Sequence, residues 1–506
     1  MNRQFFCFVA LLLCTTLSGC KKFLNIKPLD RLAGNAFWQS RGDVESYVSN
    51  IYGQFRDKIQ STSFIPGAGE LRSGMLKMSE NTNTSARRYI DLLGQNLVKE
   101  VMPEGEVWNQ WGFNFPSMTQ WKEFYRVIQS ANVCVFELGK RTIPGLSSSD
   151  VKRYQAEAVF MRCLTYLFMV RVWGDVPYYT DAYENQALGR EDMKKVISNC
   201  IADLAAVKDD LPWTYGDPAF RAVRASRGSA IALLMYMNLW NAGFDKANKE
   251  AYYTHAATLG KELVESGVHH LLPLKDFNIL FKGRSPEGLL EVAQSSNYGE
   301  TLSAVSPFSD LVLRYPNKRP LAGHEVSYGY FRAEFLRVLY PDGQSDLRKD
   351  YWFDQYMYSN SGMFQFLKFT NIYAIGEQDV NPDDNVIIFR YAGAILWMAE
   401  ALAELGKDGE AKTALNMVRE RAGVQPYSGV GGPALKEAIF IEEAKELMGE
   451  GLYYYDLLRT GRVLDSKWCN KPLTPDQFNR GGWTWPLSPS VQNNNAKIKL
   501  NEYWIQ

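Results

Sequence analysis

The chain has 506 residues, enough for more than one domain, and its 46% hydrophobic and 22% charged content is typical of a soluble globular protein. Lys and Arg together number 56, as do Asp and Glu, so charge gives no reason to expect nucleic acid or an anionic surface as partner. Aromatic residues are abundant (13 Trp, 28 Tyr and 27 Phe), and such rings suit both core packing and stacking against a ligand.

The N-terminus is predicted to be an export signal that ends at a lipidated cysteine. Arg3 precedes an apolar run, Phe5–Leu13, and Leu17-Ser18-Gly19-Cys20 resembles the bacterial lipobox. Polar residues interrupt the apolar run well before the roughly 20 residues that a membrane span needs. We therefore predict a signal peptide over 1–19 and acylation of Cys20, where two acyl chains give a stable anchor. An ordinary secretory signal is the alternative.

The next segments are predicted to be a tether, a helix and a long loop region. Residues 20–42 show no regular period, so they are predicted to form the lipidated N-terminus and its tether. A helix follows from about Asp43, a candidate N-cap, to Phe55. Residues 60–115 are rich in Ser, Gly, Asn and Thr and are predicted to be long loops with a short hairpin.

From residue 117 the apolar residues recur at helical intervals. The predicted helices cover about 157–173, 190–211, 226–241, 250–266, 389–423 (a hairpin that turns at Gly406–Gly409), 433–449 and 452–460. Between 270 and 385 the period fades, which predicts loops, short strands and a helix near 332–339. Small residues around a glycine turn resemble a tetratricopeptide unit, although the spacing is irregular. The predicted fold is mainly α: a tetratricopeptide-like superhelix of helical hairpins with loop-rich insertions and minor short strands.

The predicted organisation has two regions after the tether. Residues 43–270 form an N-terminal helical region that carries ligand loops, and residues 271–506 form a C-terminal region. The latter divides into loops over 271–385, helical hairpins over 386–462 and an irregular tail.

The sequence contains no recognisable catalytic constellation. A P-loop, a GxGxxG before a helix, an HExxH and a GxSxG are all missing from it, so we predict no enzyme. Cys134, Cys163 and Cys200 fall in predicted helices, which favours buried free thiols, although spacing cannot exclude a disulfide. No cofactor is expected. The loop Asp342–Asp346 offers oxygen ligands for a structural calcium ion, but it lacks the EF-hand spacing.

Several motifs, taken in chain order, are similar to those of the SusD/RagB family of nutrient-binding outer-membrane lipoproteins. They are the lipobox with Lys21-Lys22-Phe23-Leu24, the set Trp121, Tyr125, Ile128 and Asn132, the block Ala156-Glu157 to Tyr178, the hairpin Arg390–Gly423, the set Glu446-Leu447, Glu450-Gly451, Asp456-Leu457 and Arg459, and Trp485-Pro486-Leu487. The family often carries Arg at the positions of Glu443 and Tyr453, a departure that bears on local packing.

The resemblance implies a lid-like protein on the outer membrane. It implies non-catalytic binding of a glycan or oligosaccharide, less often a peptide, at the cell surface. It also implies delivery to a SusC-like TonB-dependent transporter barrel, with a lipid anchor facing the cell exterior and no nucleic-acid partner. The alternatives are a helical-repeat adaptor that binds only protein and a peptide-binding nutrient receptor.

Candidate ligand contacts come from the two loop regions, where aromatic rings meet polar side chains. A sugar ring packs its C–H face on Trp or Tyr, and its hydroxyls need amide and carboxylate partners. The candidates are Trp108, Trp111, Arg72 and Asn81 in the first region and Tyr298, Tyr330 and Trp352 in the second. For each aromatic residue, filling the core between helices is the competing interpretation.

Overall fold

Helices dominate the described parts of the chain, which in the computed structural model are residues 37–60, 64–80, 84–101, 115–294, 311–370 and 384–505. The helices are α1 (Arg41–Gln60), α2 (Phe64–Gly69), α3 (Thr84–Leu93), α4 (Val98–Val101), α5 (Lys122–Lys140), α6 (Ser148–Trp173), α7 (Met193–Val207), α8 (Arg227–Phe244), α9 (Lys249–Glu265), α10 (Phe277–Lys282), α11 (Ala333–Leu339), α12 (Leu347–Trp352), α13 (Tyr391–Glu404), α14 (Asp408–Arg421), α15 (Pro433–Glu446), α16 (Tyr453–Thr460), α17 (Pro475–Asn479) and α18 (Pro489–Asn494). The strands are β1 (Leu76–Met78), β2 (Gly288–Val292), β3 (Gly329–Phe331) and β4 (Val386–Arg390).

The long helices begin and end where local chemistry dictates. Ser147 and Asp150 form a capping box at the start of α6, and Gly174, at φ 73°, ends it. Ser226 and Ser229 form the same arrangement at the start of α8. Asp192 is the N-cap of α7, and Asp175 accepts a 2.9 Å hydrogen bond from the Met193 backbone N–H, so it satisfies a second free amide at the start of that helix.

Successive helices pack as neighbours and build the superhelix. The pairs α5–α6, α8–α9 and α13–α14 are hairpins, and α1 packs on α5, α7 on α6 and α8, and α9 on α13. Nearly every residue of α13 is buried, and its many small alanine side chains allow the neighbouring helices to approach closely. The mainly α, tetratricopeptide-like fold predicted from the sequence is confirmed.

One hydrophobic core unites residues from both predicted regions. Tyr236 of α8 packs edge-on against Trp397 of α13 with ring centroids 5.1 Å apart, and its hydroxyl donates to Asp456 of α16 at 3.0 Å. The predicted boundary at residue 270 lies between α9 and α10, and α9 itself packs on α13. The two regions are therefore joined by a shared interior.

Two small antiparallel sheets tie the insertions to the helices. In the first, Leu76, Lys77 and Met78 of β1 face Phe331, Tyr330 and Gly329 of β3. In the second, β2 pairs with β4, and the register shifts between Gly288 and Leu290 and again between Leu290 and Glu291. Such bulges bend a strand and redirect its side chains.

A buried ionic network fixes the 340–370 insertion to the C-terminal helices. The Glu446 carboxylate accepts from Arg348 Nη1 at 3.0 Å, from Arg390 Nη1 at 2.7 Å and from Arg421. Lys368 Nζ donates to Glu450 Oε1 at 2.5 Å and to the Glu446 carbonyl at 2.8 Å. Glu450 is thus a buried ion-pair partner.

The tail returns across the N-terminal helices. The Trp485 backbone N–H donates to the Val172 carbonyl at 2.8 Å, and Arg190 Nη1 donates to the Lys499 carbonyl at 2.7 Å. The tail therefore covers the end of α6, a helix that lies far from the tail in sequence.

The loop regions hold more regular structure than predicted. Residues 60–115 contain α2, β1, α3 and α4 in their described parts, and residues 270–385 contain α10, α11, α12 and two strands. These helices are short, from four to ten residues, so their periodicity is too brief to read from sequence.

The two carboxylates of the loop Asp342–Asp346 have different surroundings. Asp346 accepts from Arg348 at 2.9 Å and from Lys445 at 3.3 Å, and it caps α12 through the Arg348 backbone N–H. Asp342 lies 3.6 Å from Arg337. Asp346 is therefore part of an internal ion-pair network, whereas the side chain of Asp342 is 75% exposed.

The four cysteines of the described residues, together with Glu443 and Tyr453, are buried. Cys134, Cys163, Cys200 and Cys469 are buried free thiols, as predicted for the first three. Glu443 accepts from Trp397 Nε1 and Arg459 Nη2, each at 3.0 Å, and the Tyr453 hydroxyl donates to the Trp468 carbonyl at 2.9 Å.

In the part of the chain that the structure describes, no helix has the length and hydrophobicity to cross a bilayer.

Candidate functional site

A polar cleft of about 330 Å³ lies between β1, the end of α3 and the segment that follows α16. We call it the β1–α3 cleft. Its lining consists of Gly74, Leu76, Lys77, Ile90, Asp91, Gly94, Gln95, Arg332, Asn470 and Lys471. The charged and amide groups come from four separate segments, and the β1–β3 pairing brings two of them, those of Lys77 and Arg332, together.

Two glycines allow the walls of this cleft to meet at its base. Gly74 adopts a left-handed conformation (φ 69°), and a Cβ there would lie 2.3 Å from the Gly94 carbonyl oxygen. A Cβ on Gly94 would lie 2.8 Å from the Gly74 Cα. Any side chain at either position would therefore force β1 and α3 apart.

The electrostatics of the cleft are dominated by cations. Burial raises the pKa of Asp91, and Arg87, Lys77 and Arg332 act against that shift, so one half-buried carboxyl is surrounded by cations. Arg332 is held by a 2.9 Å hydrogen bond from its Nε to the Gly74 carbonyl. Among the described residues, the ammonium group of Lys77 has no carboxylate within ion-pairing distance.

Tyr330 is not one of the residues that line the cleft, but it pairs with the lining residue Lys77 and precedes Arg332 by two positions on the β3 side. Burial raises the pKa of its hydroxyl, and Arg332 and Arg87 oppose that shift, so the hydroxyl lies near the cations of the cleft. Only 7% of the residue is exposed. Tyr330 therefore offers little ring face for stacking, and its contribution to a ligand would come from the hydroxyl.

Arg72, another predicted contact, is a structural clamp. It is 1% exposed, and its Nη2 donates to Asn96 Oδ1 and to the Gly482 carbonyl, each at 3.2 Å. Its guanidinium also lies 4.8 Å from the centroid of the Tyr454 ring. All of these partners belong to the protein interior, so we do not retain Arg72 as a ligand contact.

Trp352 is also a core residue in this structure. It is fully buried, with the Lys368 ammonium 4.5 Å from its ring and the Phe366 ring 6.5 Å away, edge-on. Other aromatic residues of this region pack on each other, with the Phe353 and Phe366 ring centroids 4.9 Å apart. The prediction that Trp352 contacts ligand is not supported.

The other predicted contacts lie outside the described residues. These are Trp108, Trp111, Asn81 and Tyr298, together with the lipidation site Cys20. Asn81 directly follows Glu80, whose carboxylate is one of the groups acting on the Tyr330 hydroxyl.

Sequence reasoning missed Lys77, Asp91 and Arg332. No local motif marks them, because the cleft depends on the pairing of β1 with β3 about 250 positions later, which a single sequence does not reveal. The only signal was the repeated occurrence of charged residues in a region rich in Gly and Asn.

The chemistry of the cleft is that of recognition. It presents ammonium, guanidinium and amide donors with one carboxylate acceptor, groups that bind hydroxyl and acidic substituents. Within the described ranges, no cluster of three or more His, Cys, Asp or Glu side chains could hold a metal ion.

Comparison with known protein families gives two matches. The model described as "SusD family" matches residues 340–504, and the one described as "Starch-binding associating with outer membrane" matches residues 47–238. Among curated proteins, SusD-like protein P25 of Formosa agariphila is 26% identical over 478 residues, covering 88% of each chain. SusD-like protein P2 of the same organism is 27% identical over 492 residues, covering 91% of each.

Solved structures share the whole architecture. A SusD homolog from Bacteroides thetaiotaomicron is 37% identical, with a TM-score of 0.84, covering 92% of this chain and 100% of that one. A laminarin-binding SusD-like protein is 21% identical, with a TM-score of 0.69 and coverage of 92% and 99%, which shows a common fold.

Proposed function

Because this chain belongs to the SusD family, we propose that it is a non-catalytic cell-surface receptor that binds a nutrient glycan and delivers it to a TonB-dependent outer-membrane transporter. The observation that carries the proposal is the match, at 37% identity over 92% of this chain, to a solved SusD homolog. The laminarin-binding relative supports a glycan as the class of ligand.

We assign the β1–α3 cleft to the ligand surface, together with Trp108, Trp111, Asn81 and Tyr298. In this arrangement the tryptophans supply stacking, while Lys77, Arg332 and the Tyr330 hydroxyl supply hydrogen bonds. Three cationic side chains line the cleft, Lys77, Arg332 and Lys471, against the single carboxylate of Asp91. This balance favours an oligosaccharide that carries carboxylate or sulfate groups.

Titration calorimetry against panels of oligosaccharides and peptides tests the proposal. We expect Trp108→Ala with Trp111→Ala to lose most of the affinity, because stacking on aromatic rings is removed. Lys77→Ala with Arg332→Ala should weaken acidic glycans more than neutral ones and should reduce the salt dependence of binding. Lys246→Ala, which lies in a different cavity, is the matched control. A ligand that binds all variants equally would place the site elsewhere.

The transporter partner is tested by recovering the protein from membranes in mild detergent. We expect a large β-barrel transporter to copurify in near-stoichiometric amount. Recovery with other proteins and without a barrel would favour the adaptor alternative. Preferential binding of peptides in the calorimetric panels would identify a peptide-binding nutrient receptor.

The anchor is assigned to Cys20 because the preceding residues match the lipobox. Labelling of cells with a radioactive or alkyne-bearing fatty acid should mark the wild type and leave Cys20→Ser unmarked. Protease treatment of intact cells then tests orientation: digestion of the body is expected for a protein on the outer face, and protection would place it in the periplasm.

A further inference from the structure

A second cavity, of about 540 Å³, lies between α13, α15, α16 and the turn that joins α8 to α9. We call it the α13–α15 cavity. Charged and hydroxyl side chains make up most of its lining, together with the apolar side chains of Pro433, Ile439 and Phe440. Its volume falls within the range of about 300–1,000 Å³ that is usual for small-molecule sites. It shares no lining residue with the β1–α3 cleft.

The inner wall of this cavity carries the carboxyl of Glu443. The residue is 2% exposed, and its Oε1 accepts from Trp397 Nε1 and from Arg459 Nη2, each at 3.0 Å. Within the described ranges no donor reaches Oε2, and this oxygen is open to the cavity. One oxygen thus fixes the orientation of the carboxyl, and the other is left for a ligand.

The acidic groups at this inner end outnumber the cations. Arg459 is shared by three carboxylates: besides Glu443, its Nε donates to Asp456 at 2.7 Å and its Nη1 donates to both oxygens of Glu400. Burial raises the pKa of Glu443 well above its ordinary value, and the neighbouring Asp456 and Glu400 add to this rise. Even with Glu443 neutral, one guanidinium faces two carboxylates. The inner end of the cavity therefore lacks a positive charge.

The other groups near this end are a free hydroxyl and two ion pairs. The Tyr253 hydroxyl has no hydrogen-bond partner in the part of the chain that the structure describes. Burial and the carboxylates of α13 raise the pKa of this hydroxyl, so it is a neutral acceptor close to the acidic cluster. Lys436 Nζ lies 2.8 Å from Glu404, and Arg462 Nη2 lies 3.1 Å from Glu437. The charges within each pair cancel, so they do not correct the deficit of positive charge.

Positive charge is in excess at the mouth of the cavity instead. Lys246 and Lys249 line the mouth and are exposed, and the described residues place no carboxylate within 4.0 Å of either ammonium group. Water and salt screen exposed charges of this kind, so their effect on a ligand is weak. A second cation on the ligand would still be disfavoured here. The cavity therefore suits a ligand with one positive charge at its inner end and a neutral, oxygen-rich body.

We propose that the α13–α15 cavity binds an amino sugar through its protonated amine. The ammonium group donates to Glu443 Oε2 and to the Tyr253 hydroxyl, and it supplies the charge that the cluster around Arg459 lacks. Its presence favours the ionised form of Glu443. An α-amino acid fits less well, because its own carboxylate lies beside its ammonium group and would face Glu400 and Asp456. This site is separate from the β1–α3 cleft and does not rest on the proposed receptor function.

The probe is glucosamine, titrated calorimetrically at about pH 6.5 into the purified full chain in a non-ionic detergent. We expect 1:1 binding with a dissociation constant of about 1 mM or lower, which a ligand of this size can reach. Glucose has a hydroxyl in place of the amine, and propylamine has the amine without the sugar ring. Each should bind at least tenfold more weakly than glucosamine. Absence of glucosamine binding, or equally tight binding of glucose or propylamine, would overturn the proposal.

Two variants test the individual contacts. In Glu443→Gln the amide oxygen can still accept from Trp397 and Arg459, while the amide nitrogen takes the place of the free oxygen. This variant should bind glucosamine at least tenfold more weakly, because a charge is lost and a donor faces the ammonium group. Tyr253→Phe keeps the ring and removes only the hydroxyl, so it should bind at least threefold more weakly.

Glu291→Gln is the matched control for Glu443→Gln. Glu291 is also 2% exposed and has one oxygen without a hydrogen-bond partner among the described residues, but it does not line the α13–α15 cavity. The control should bind glucosamine like the wild type, and the unfolding temperature shows whether each variant is folded. Binding that is unchanged in a folded Glu443→Gln protein would refute the site. If that variant does not fold, unchanged binding by Tyr253→Phe refutes it.

Discussion

Glu446 is the residue at which loss of a single charge should cost this fold most. Its carboxylate, fully buried, accepts from Arg348, Arg390 and Arg421, and its backbone carbonyl accepts from Lys368 and Arg390. Glu446→Gln preserves the shape of the side chain. It replaces one acceptor oxygen by an amide donor directed at arginines that also donate, and it removes one negative charge.

The magnitude follows from burial. Removing one partner of a buried ion pair costs about 3–5 kcal/mol, because the remaining charge stays buried and uncompensated. Here three guanidinium groups lose the shared acceptor, so we expect a loss of stability within that range. Since domains are stable by only about 5–15 kcal/mol, this loss should shift the unfolding midpoint strongly.

The assay is equilibrium urea unfolding followed by tryptophan fluorescence. The matched control is Glu410→Gln, in which an acid whose side chain is 50% exposed loses its contact with Lys261, 41% exposed. Exposed ion pairs add little to stability because water and salt screen them, so the control should be nearly neutral. A Glu446→Gln protein as stable as the Glu410→Gln protein would refute the view that this network is a strongly coupled, desolvated unit.

The same carboxyl predicts acid sensitivity with a defined sign. Burial alone would raise the pKa of Glu446, but Arg421, Arg390 and Arg348 outweigh it and hold the pKa well below its usual value. Its contribution to stability is therefore complete above the unfolded pKa of about 4.3 and is lost as pH falls through the lower folded pKa. Unfolding free energies of Glu446→Gln should consequently fall less steeply than those of the wild type on acidification below about pH 4.

Further predictions concern other buried groups and close contacts. Burial raises the pKa of Glu291 to about 7. Its contribution to stability is therefore complete below about pH 4.5 and is lost as the pH rises to about 7. In Glu291→Gln, the unfolding free energy should vary less with pH between these values. Burial raises the pKa of Glu70 to about 8, so the wild type should also lose this residue's contribution to stability as the pH rises from about 4.5 to 8. That loss should be smaller in Glu70→Gln than in the wild type. Gly94→Ala should destabilise by about 1–3 kcal/mol in urea unfolding, because its Cβ would meet the Gly74 backbone, whereas Gly216→Ala, with open space, should be nearly neutral. A neutral Gly94→Ala would mean that β1 and α3 can separate freely.

The long helices could be predicted because their information is local. In α6, α8 and α13 the apolar intervals are present within one stretch of sequence, and Gly174 and Gly406 mark the ends of α6 and α13. The short helices α2, α4 and α10 could not, since four to six residues give barely one turn of periodicity.

The candidate site was predicted less well than the fold, for a physical reason. An aromatic residue in a loop-rich stretch either faces a ligand or builds a small local core, and composition is the same in both cases. Trp352 proved to belong to a local core with Phe353 and Phe366. The cationic cleft beside Tyr330 arises from strand pairing between distant segments, which leaves no local signature.

The tail that crosses the end of α6 has a consequence for how the protein matures. The Trp485 N–H donates to the Val172 carbonyl, and Arg72 donates to the Gly482 carbonyl. Buried groups from the N-terminal part of the chain therefore have hydrogen-bond partners that are synthesised last. A chain synthesised from its N-terminus therefore cannot close this part of its interior until its last segment has been made. Polypeptides that stop before Trp483 should therefore be more sensitive to proteases than the full-length chain.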